Sequence, residues 1–181
     1  FGFRSHLRGV IPGDLSPCFY PNGNELFVLG YMNSSVAEYF INLLNPSLTK
    51  AVGDVAKIPI PVMKSSVQSK ITTLAEQLVK IYRDDWDSRE TSVDFHGTSF
   101  PFRAGNVSTL KHGFADFKSK CENLCRIAKD LEEENNCLIA SELGIGKHAT
   151  TDVSIDRISL YANQTYRCGS EVSEFAQGVE F

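Results

Sequence analysis

Cys18-Phe19-Tyr20-Pro21-Asn22-Gly23-Asn24-Glu25-Leu26-Phe27-Val28, residues 18–28, places two apolar runs on either side of Asn22-Gly23. Both residues of that pair tolerate positive φ, which a tight turn between antiparallel strands requires. The spacing predicts a β-hairpin, with Pro21 at its edge because proline cannot donate to a ladder. Pro12-Gly13-Asp14 and Ser16-Pro17 mark an earlier turn, so residues 1–30 read as strands. The fold class that follows is α+β, mostly α: a small antiparallel β-containing lobe followed by a long antiparallel helical hairpin.

Outward from that stretch, Asn33-Ser34-Ser35 offers side-chain oxygens to the free N–H groups of a helix, and Val36, Phe40, Leu43 and Leu44 share one face. A helix over 35–44 is predicted, stopped by Pro46. Val52, Val55, Ile58, Ile60 and Val62 follow, with Pro59 and Pro61 on alternate positions, a pattern that suits an edge strand or an extended connector. Val67, Ile71, Leu74, Leu78, Ile81 and Tyr82 then step by three and four after Ser65 and Ser66, giving a helix that ends near Arg83. A longer stripe joins Leu110, Phe114, Phe117, Cys121, Leu124, Ala128, Leu131 and Leu138, with Ser108 as its cap. Two such helices hide their stripes best against each other. The organisation predicted is a β-containing lobe over 1–63, a helical hairpin over 64–150 and an irregular tail over 151–181, with Tyr161–Gly169 as loop.

The chain has 181 residues, 42% of them apolar and 22% charged, close to globular averages. No apolar run reaches the roughly 18 residues that a membrane-spanning helix needs. Net charge is −4, divided unevenly. Residues 1–83 hold eight Lys/Arg against five acids, +3, and residues 84–181 hold ten against seventeen, −7. A polyanion responds to local charge, so the first part is the one drawn to nucleic acid. Five cysteines without a C-x-x-C pair read as reduced thiols of a cytoplasm.

Asp84, Asp85, Asp87 and Glu90 crowd into one short stretch, as a divalent cation for phosphodiester cleavage would require. No Lys or His base is placed beside them, and acids past a helix C-terminus oppose its dipole. The stretch Asp85–Phe95, DWDSRETSVDF, reads instead as a structural elbow built on Trp86, Asp87 and Phe95, with the two rings buried and Ser88, Thr91 and Ser92 bonding a non-helical backbone. Cys121 and Cys125 fill an apolar stripe, and no His stands at ligand spacing. His6, His96, His112 and His148 are dispersed and no Ser or Cys sits in an elbow, so neither catalytic nor metal-ligating residues are assigned.

DWDSRETSVDF resembles a segment in the C-terminal half of the BREX-type adenine-specific DNA methyltransferases (the PglX type), large phage-defence enzymes of bacteria. Leu29–Val62, LGYMNSSVAEYFINLLNPSLTKAVGDVAKIPIPV, looks like the end of the target-recognition region of those enzymes and, more loosely, of type I restriction specificity subunits. Leu131–Leu143, LEEENNCLIASEL, resembles the end of their long helix, and Tyr166-Arg167 with Gly169 a loop beyond it. Val93 departs from an aromatic in the usual signature, and Cys137-Leu138-Ile139 stands where Arg-Ile-Phe is common.

The resemblance implies a C-terminal piece of a larger enzyme that transfers a methyl group from S-adenosylmethionine to adenine N6 at a specific site in double-stranded DNA. Methyl transfer in that class needs an (N/D/S)-P-P-(Y/F) loop and a glycine-rich turn. Asn45-Pro46-Ser47-Leu48 has only the first two letters, and Gly144-Ile145-Gly146-Lys147 reads as a helix terminator. No catalytic residue and no cofactor is therefore assigned to this chain. The partners implied are double-stranded DNA, an upstream methyltransferase domain and other BREX components in the bacterial cytoplasm, without a membrane. Arg4, Arg8, Lys50 and Lys57 are the candidates for DNA contact, since phosphates are positioned by cations on loops and element ends. The competing expectation is a protein–protein assembly module of the same system that never touches DNA.

Overall fold

The computed structural model describes residues 2–5, 18–47, 50–98 and 109–169. The helices are α1 (Glu25–Met32), α2 (Ser35–Leu44), α3 (Val52–Val55), α4 (Ser65–Asp87), α5 (Leu110–Leu143) and α6 (Gln164–Cys168), with a 3₁₀ turn at Ile155–Arg157. No strand occurs among the described residues. The antiparallel β-containing lobe, and the α+β class with it, is corrected to a helical architecture.

The reason lies one residue beyond the turn pair. Gly23 does take a positive φ, 129°, but Asn24 then accepts the Phe27 N–H at 3.1 Å and caps α1. Leu26–Met32 is apolar on every side except at Gly30, and such a run fits a buried strand and an enclosed helix equally well. The cap decides for the helix, which buries Phe27, Val28, Gly30, Tyr31 and Met32. Of the edge strand or extended connector read over 52–62, the strand is corrected in the same way, while 59–62 are a connector without regular structure. Ala51 N–H donates to Asp54 Oδ2 at 3.3 Å, closing the single turn of α3. Residues 59–64 then carry no regular structure. Their anchor is the Tyr31 hydroxyl, which donates to the Pro59 carbonyl at 2.6 Å.

The chain divides into two compact units, Phe1–Val79 with Glu132–Asp152, and Lys80–Leu131 with Val153–Phe181. The first has a core of Phe27, Tyr31, Val36, Ile41, Ile71 and Ile139 among others. Ser34 caps α2 as its position predicted, accepting the Ala37 N–H at 3.2 Å. Two asparagines of α5 complete the attachment. Asn135 Nδ2 donates to the Gly30 carbonyl at 2.9 Å. Asn136 Oδ1 accepts the Ser35 N–H at 2.9 Å, and its Nδ2 donates to the Thr151 carbonyl at 3.3 Å. Asn136 thus serves a free N–H in the first turn of α2 from another part of the chain. Gly144, at φ 67°, ends α5, and the Ile145 N–H returns to the Ala140 carbonyl at 3.1 Å.

In the second unit Cys125, Ala128, Val153, Ile158 and Leu160 are buried. Asn163, also buried, donates to the carbonyls of Ile155 and Ile158, both at 2.7 Å, and accepts the Tyr166 N–H at the start of α6. The loop read over 161–169 is therefore partly helical, because this one side chain supplies both the turn and the cap. Ser108, read as the cap of the second long helix, lies outside the described residues. Thr109 serves there, its Oγ1 accepting the His112 N–H at 3.3 Å.

Candidate nucleic-acid interface

Three of the four cations expected to contact DNA fall on described residues, all in the first unit. Arg4 is exposed and follows Phe3, whose N–H and carbonyl are both held by the Asn33 side chain, at 2.8 and 3.0 Å. Lys57 is exposed just after α3. Lys50 is engaged at the end of α2, where its ammonium donates to Asn42 Oδ1 at 3.0 Å and to the Asn45 carbonyl. That bond satisfies a carbonyl left open by the helix end. Arg8 lies outside the described residues. Lys57 and Lys50 converge on one acid, Asp54. The Asn45 amide, which donates to Asp54 at 2.7 Å, and then the Ala51 N–H hold its carboxyl below the usual carboxylate range, with smaller help from Lys57 and Lys50. The Asn45-Pro46-Ser47 segment is thus a local brace, with Ser47 N–H and Oγ both donating to Asn45 Oδ1.

In the second unit the elbow stretch has a different structure from the one expected. α4 continues past Arg83 to Asp87, so Trp86 and Asp87 are helical. Trp86 is 44% exposed and Phe95 37% exposed, so neither ring is the buried anchor that was read. The Arg89 guanidinium lies over the Trp86 ring, a contact that lets an indole stay half in water. Of the three hydroxyls expected to bond a non-helical backbone, Ser92 does so, its Oγ accepting the Asp94 N–H at 3.1 Å. Ser88 Oγ donates to the Asp85 carbonyl at 2.7 Å, and Ser92 Oγ donates to Asp87 Oδ1 at 2.6 Å.

What the stretch builds is a clasp. Asp85 accepts the backbone N–H groups of Tyr161 at 2.5 Å and Ala162 at 2.9 Å through its two carboxylate oxygens. Charge-assisted bonds of this kind are about twice as strong as neutral ones. The clasp brings Tyr161 beside Arg89, whose guanidinium lies 4.6 Å from the Trp86 ring centroid and 4.3 Å from that of Tyr161. Arg167, from α6, lies 4.2 Å from the same Tyr161 centroid, and its Nη1 donates to the Tyr161 carbonyl at 3.3 Å. Trp86, Arg89, Tyr161 and Arg167 form a cation–aromatic cluster at the surface. Sequence reading singled out Trp86 as a buried anchor and missed Tyr161, because a clasp through backbone N–H groups leaves no side-chain pattern in the partner segment.

The acids nearby are occupied: Asp84 pairs with Lys80 at 2.5 Å, Asp85 holds the clasp and Asp87 takes Ser92. Among the described residues no group of three His, Cys, Asp or Glu could hold a metal ion. Burial pushes the Cys125 thiol up to about 11 and raises Cys121, with Asp85 adding to both, so neither is a ready thiolate. Gly144-Ile145-Gly146-Lys147 closes a helix, and no described strand leads into it.

The class that fold and site define is a helical module with a turn clasped by Asp85 and an exposed arginine–aromatic cluster. Compared with known proteins, the chain is 33% identical over 158 residues to the adenine-specific methyltransferase BrxX of Escherichia coli O9:H4 (strain HS), a match covering 85% of this chain and 12% of that protein. It is 25% identical over 189 residues to the adenine-specific methyltransferase PglX of Lacticaseibacillus casei (strain Zhang), covering 88% of this chain and 15% of that one. No family model matches. The chain is thus related to BREX-type adenine-specific methyltransferases and spans less than a sixth of the length of these two. No described helix is long and apolar enough to cross a membrane.

Proposed function

We propose that this chain is the non-catalytic, C-terminal, DNA-contacting and docking portion of a site-specific adenine-N6 DNA methyltransferase of a BREX phage-defence system. The observation that carries the reading is the 33% identity to BrxX over 85% of the chain, combined with a sequence that holds neither a complete methyl-transfer loop nor a glycine-rich methyl-donor turn. S-adenosylmethionine is then bound elsewhere in the enzyme, in an upstream methyltransferase domain. The chain's partners are that domain, double-stranded DNA and other BREX components in the bacterial cytoplasm. The exposure of Arg4 and Lys57 on the first unit supports a phosphate-contacting role there.

The test is anisotropy of a labelled duplex titrated with the full chain across a salt series. Binding that weakens steeply with salt, and that falls on combined Arg4→Ala, Arg8→Ala, Lys50→Ala and Lys57→Ala substitution, is the expected result. Absence of duplex binding at low salt refutes it.

A second reading, assembly with a protein partner, is favoured by the exposed apolar side chains of the first unit: Leu43 at 64%, Val52 at 56% and Val62 at 99%. It predicts that a complex with the methyltransferase domain is lost on Val62→Asp while duplex binding is kept.

A further inference from the structure

We propose that the cluster of Trp86, Arg89, Tyr161 and Arg167 is a binding site for an unpaired nucleotide, the phosphate held by the two guanidinium groups and the base stacked on an exposed ring. This deepens the DNA-contact reading and rests on it, but it places a contact in the half of the chain that net charge argues against.

Four observations carry it. First, Arg89 and Arg167 lie 4.3 and 4.2 Å from one ring centroid, so their separation cannot exceed the sum of those two distances. Two like charges that close repel each other. Second, neither guanidinium forms an ion pair among the described residues, although three acids closely precede Arg89 in the sequence. Asp84, Asp85 and Asp87 are turned to Lys80, to backbone N–H groups and to Ser92 instead. An oxyanion between the two forks relieves the repulsion, and guanidinium matches phosphate in its paired donor geometry.

Third, the rings are open. Trp86, with one guanidinium over its ring, is 44% exposed, and Tyr166, one residue before Arg167, 47%. A base stacks on such a ring without regard to sequence. Fourth, the cluster is held from two distant parts of the chain by Asp85, whose two oxygens are fully used on the 161–162 turn. Its geometry therefore exists before any ligand arrives. The excess of acids over 84–181 selects the ligand class. A long duplex backbone is repelled by that excess, whereas one phosphate and one base engage by short-range contacts.

Trp86 is the only tryptophan in the chain, so its emission reports on this site directly. The full chain is titrated with a twelve-nucleotide oligo-dA, a blunt duplex of the same length, and inorganic phosphate. The expected result is saturable quenching by oligo-dA, with a salt slope of about −0.7, that of one neutralised single-strand phosphate. Arg167→Ala weakens it at least tenfold, and Arg167→Lys, which keeps the charge and loses the planar fork, weakens it less. Far-UV circular dichroism of both variants stays that of the parent.

Three results overturn the proposal: no saturable quenching by oligo-dA, quenching unchanged in a folded Arg167→Ala chain, or an equal response to inorganic phosphate alone, which marks an anion site with no place for a base. Failure here is separable from failure of the duplex reading. That one is followed by anisotropy and is lost with Arg4, Arg8, Lys50 and Lys57, none of which lies in this cluster.

Discussion

Gly30→Ala sets two effects of known size against each other. Gly30 lies in α1, where alanine is intrinsically favoured over glycine by about 1 kcal/mol, so an isolated helix would be strengthened. In the fold, the added Cβ would stand 2.9 Å from Ile71 Cγ2, 3.3 Å from Ala75 Cβ and 3.5 Å from Asn135 Oδ1. Ile71 is fully buried, and a β-branched side chain in a helix has essentially one rotamer, so its Cγ2 cannot swing aside. α1 must move away instead, stretching the 2.9 Å bond from Asn135 to the Gly30 carbonyl.

Overpacking of this kind costs about 1–3 kcal/mol, with the strained buried hydrogen bond added. Subtracting the propensity gain leaves a net loss of about 1–2 kcal/mol. Urea unfolding followed by far-UV circular dichroism reads it as a lower midpoint at unchanged slope. Ile71→Leu removes the offending branch at nearly constant volume, so the double variant should lose less than the sum of the single changes. A Gly30→Ala chain as stable as the parent, or more so, refutes the close-approach argument.

Asn136→Ala leaves the Ser35 N–H and the Thr151 carbonyl without their partner and should lower stability by about 1–3 kcal/mol in the same assay. Asn136→Asp, which keeps the acceptor for Ser35, should lose less, and equal losses would contradict the capping role. Asp85→Ala releases the 161–162 turn, so acrylamide should quench Trp86 more readily while helicity holds; unchanged quenching would show that the clasp does not position the cluster. Burial raises Tyr31 from its ordinary 10.0 to about 12. A group with a raised folded pKa contributes stability that is fully present below its unfolded value and is lost as pH rises through the folded one. About 3 kcal/mol should therefore disappear between pH 10 and 12. Tyr31→Phe should flatten that part of the profile, leaving the earlier decline from Cys125 in place; an unaltered profile would assign the loss to other groups.

Several features could be read from local pattern because local physics determines them. Ser34 caps α2, the three- and four-residue steps from Val67 to Tyr82 lie on α4, and Gly144 ends α5. Each depends on a side chain and a backbone group only a few residues apart. The relation to BREX-type methyltransferases was also legible, in DWDSRETSVDF and in LEEENNCLIASEL, although the reason those letters matter was not. Asp85 serves backbone N–H groups 76 and 77 residues away, and Asn136 serves one 101 residues away.

The sequence by itself determined where the amphipathic helices run, since periodicity and capping are properties of neighbouring residues. Only the tertiary structure decided that Leu26–Met32, once capped by Asn24, is enclosed on nearly every side, because an apolar run has no period that says which sides will be covered. It also decided that Trp86 stays half in water. An indole is buried only where apolar groups cover it, and here the chain lays the Arg89 guanidinium over the ring.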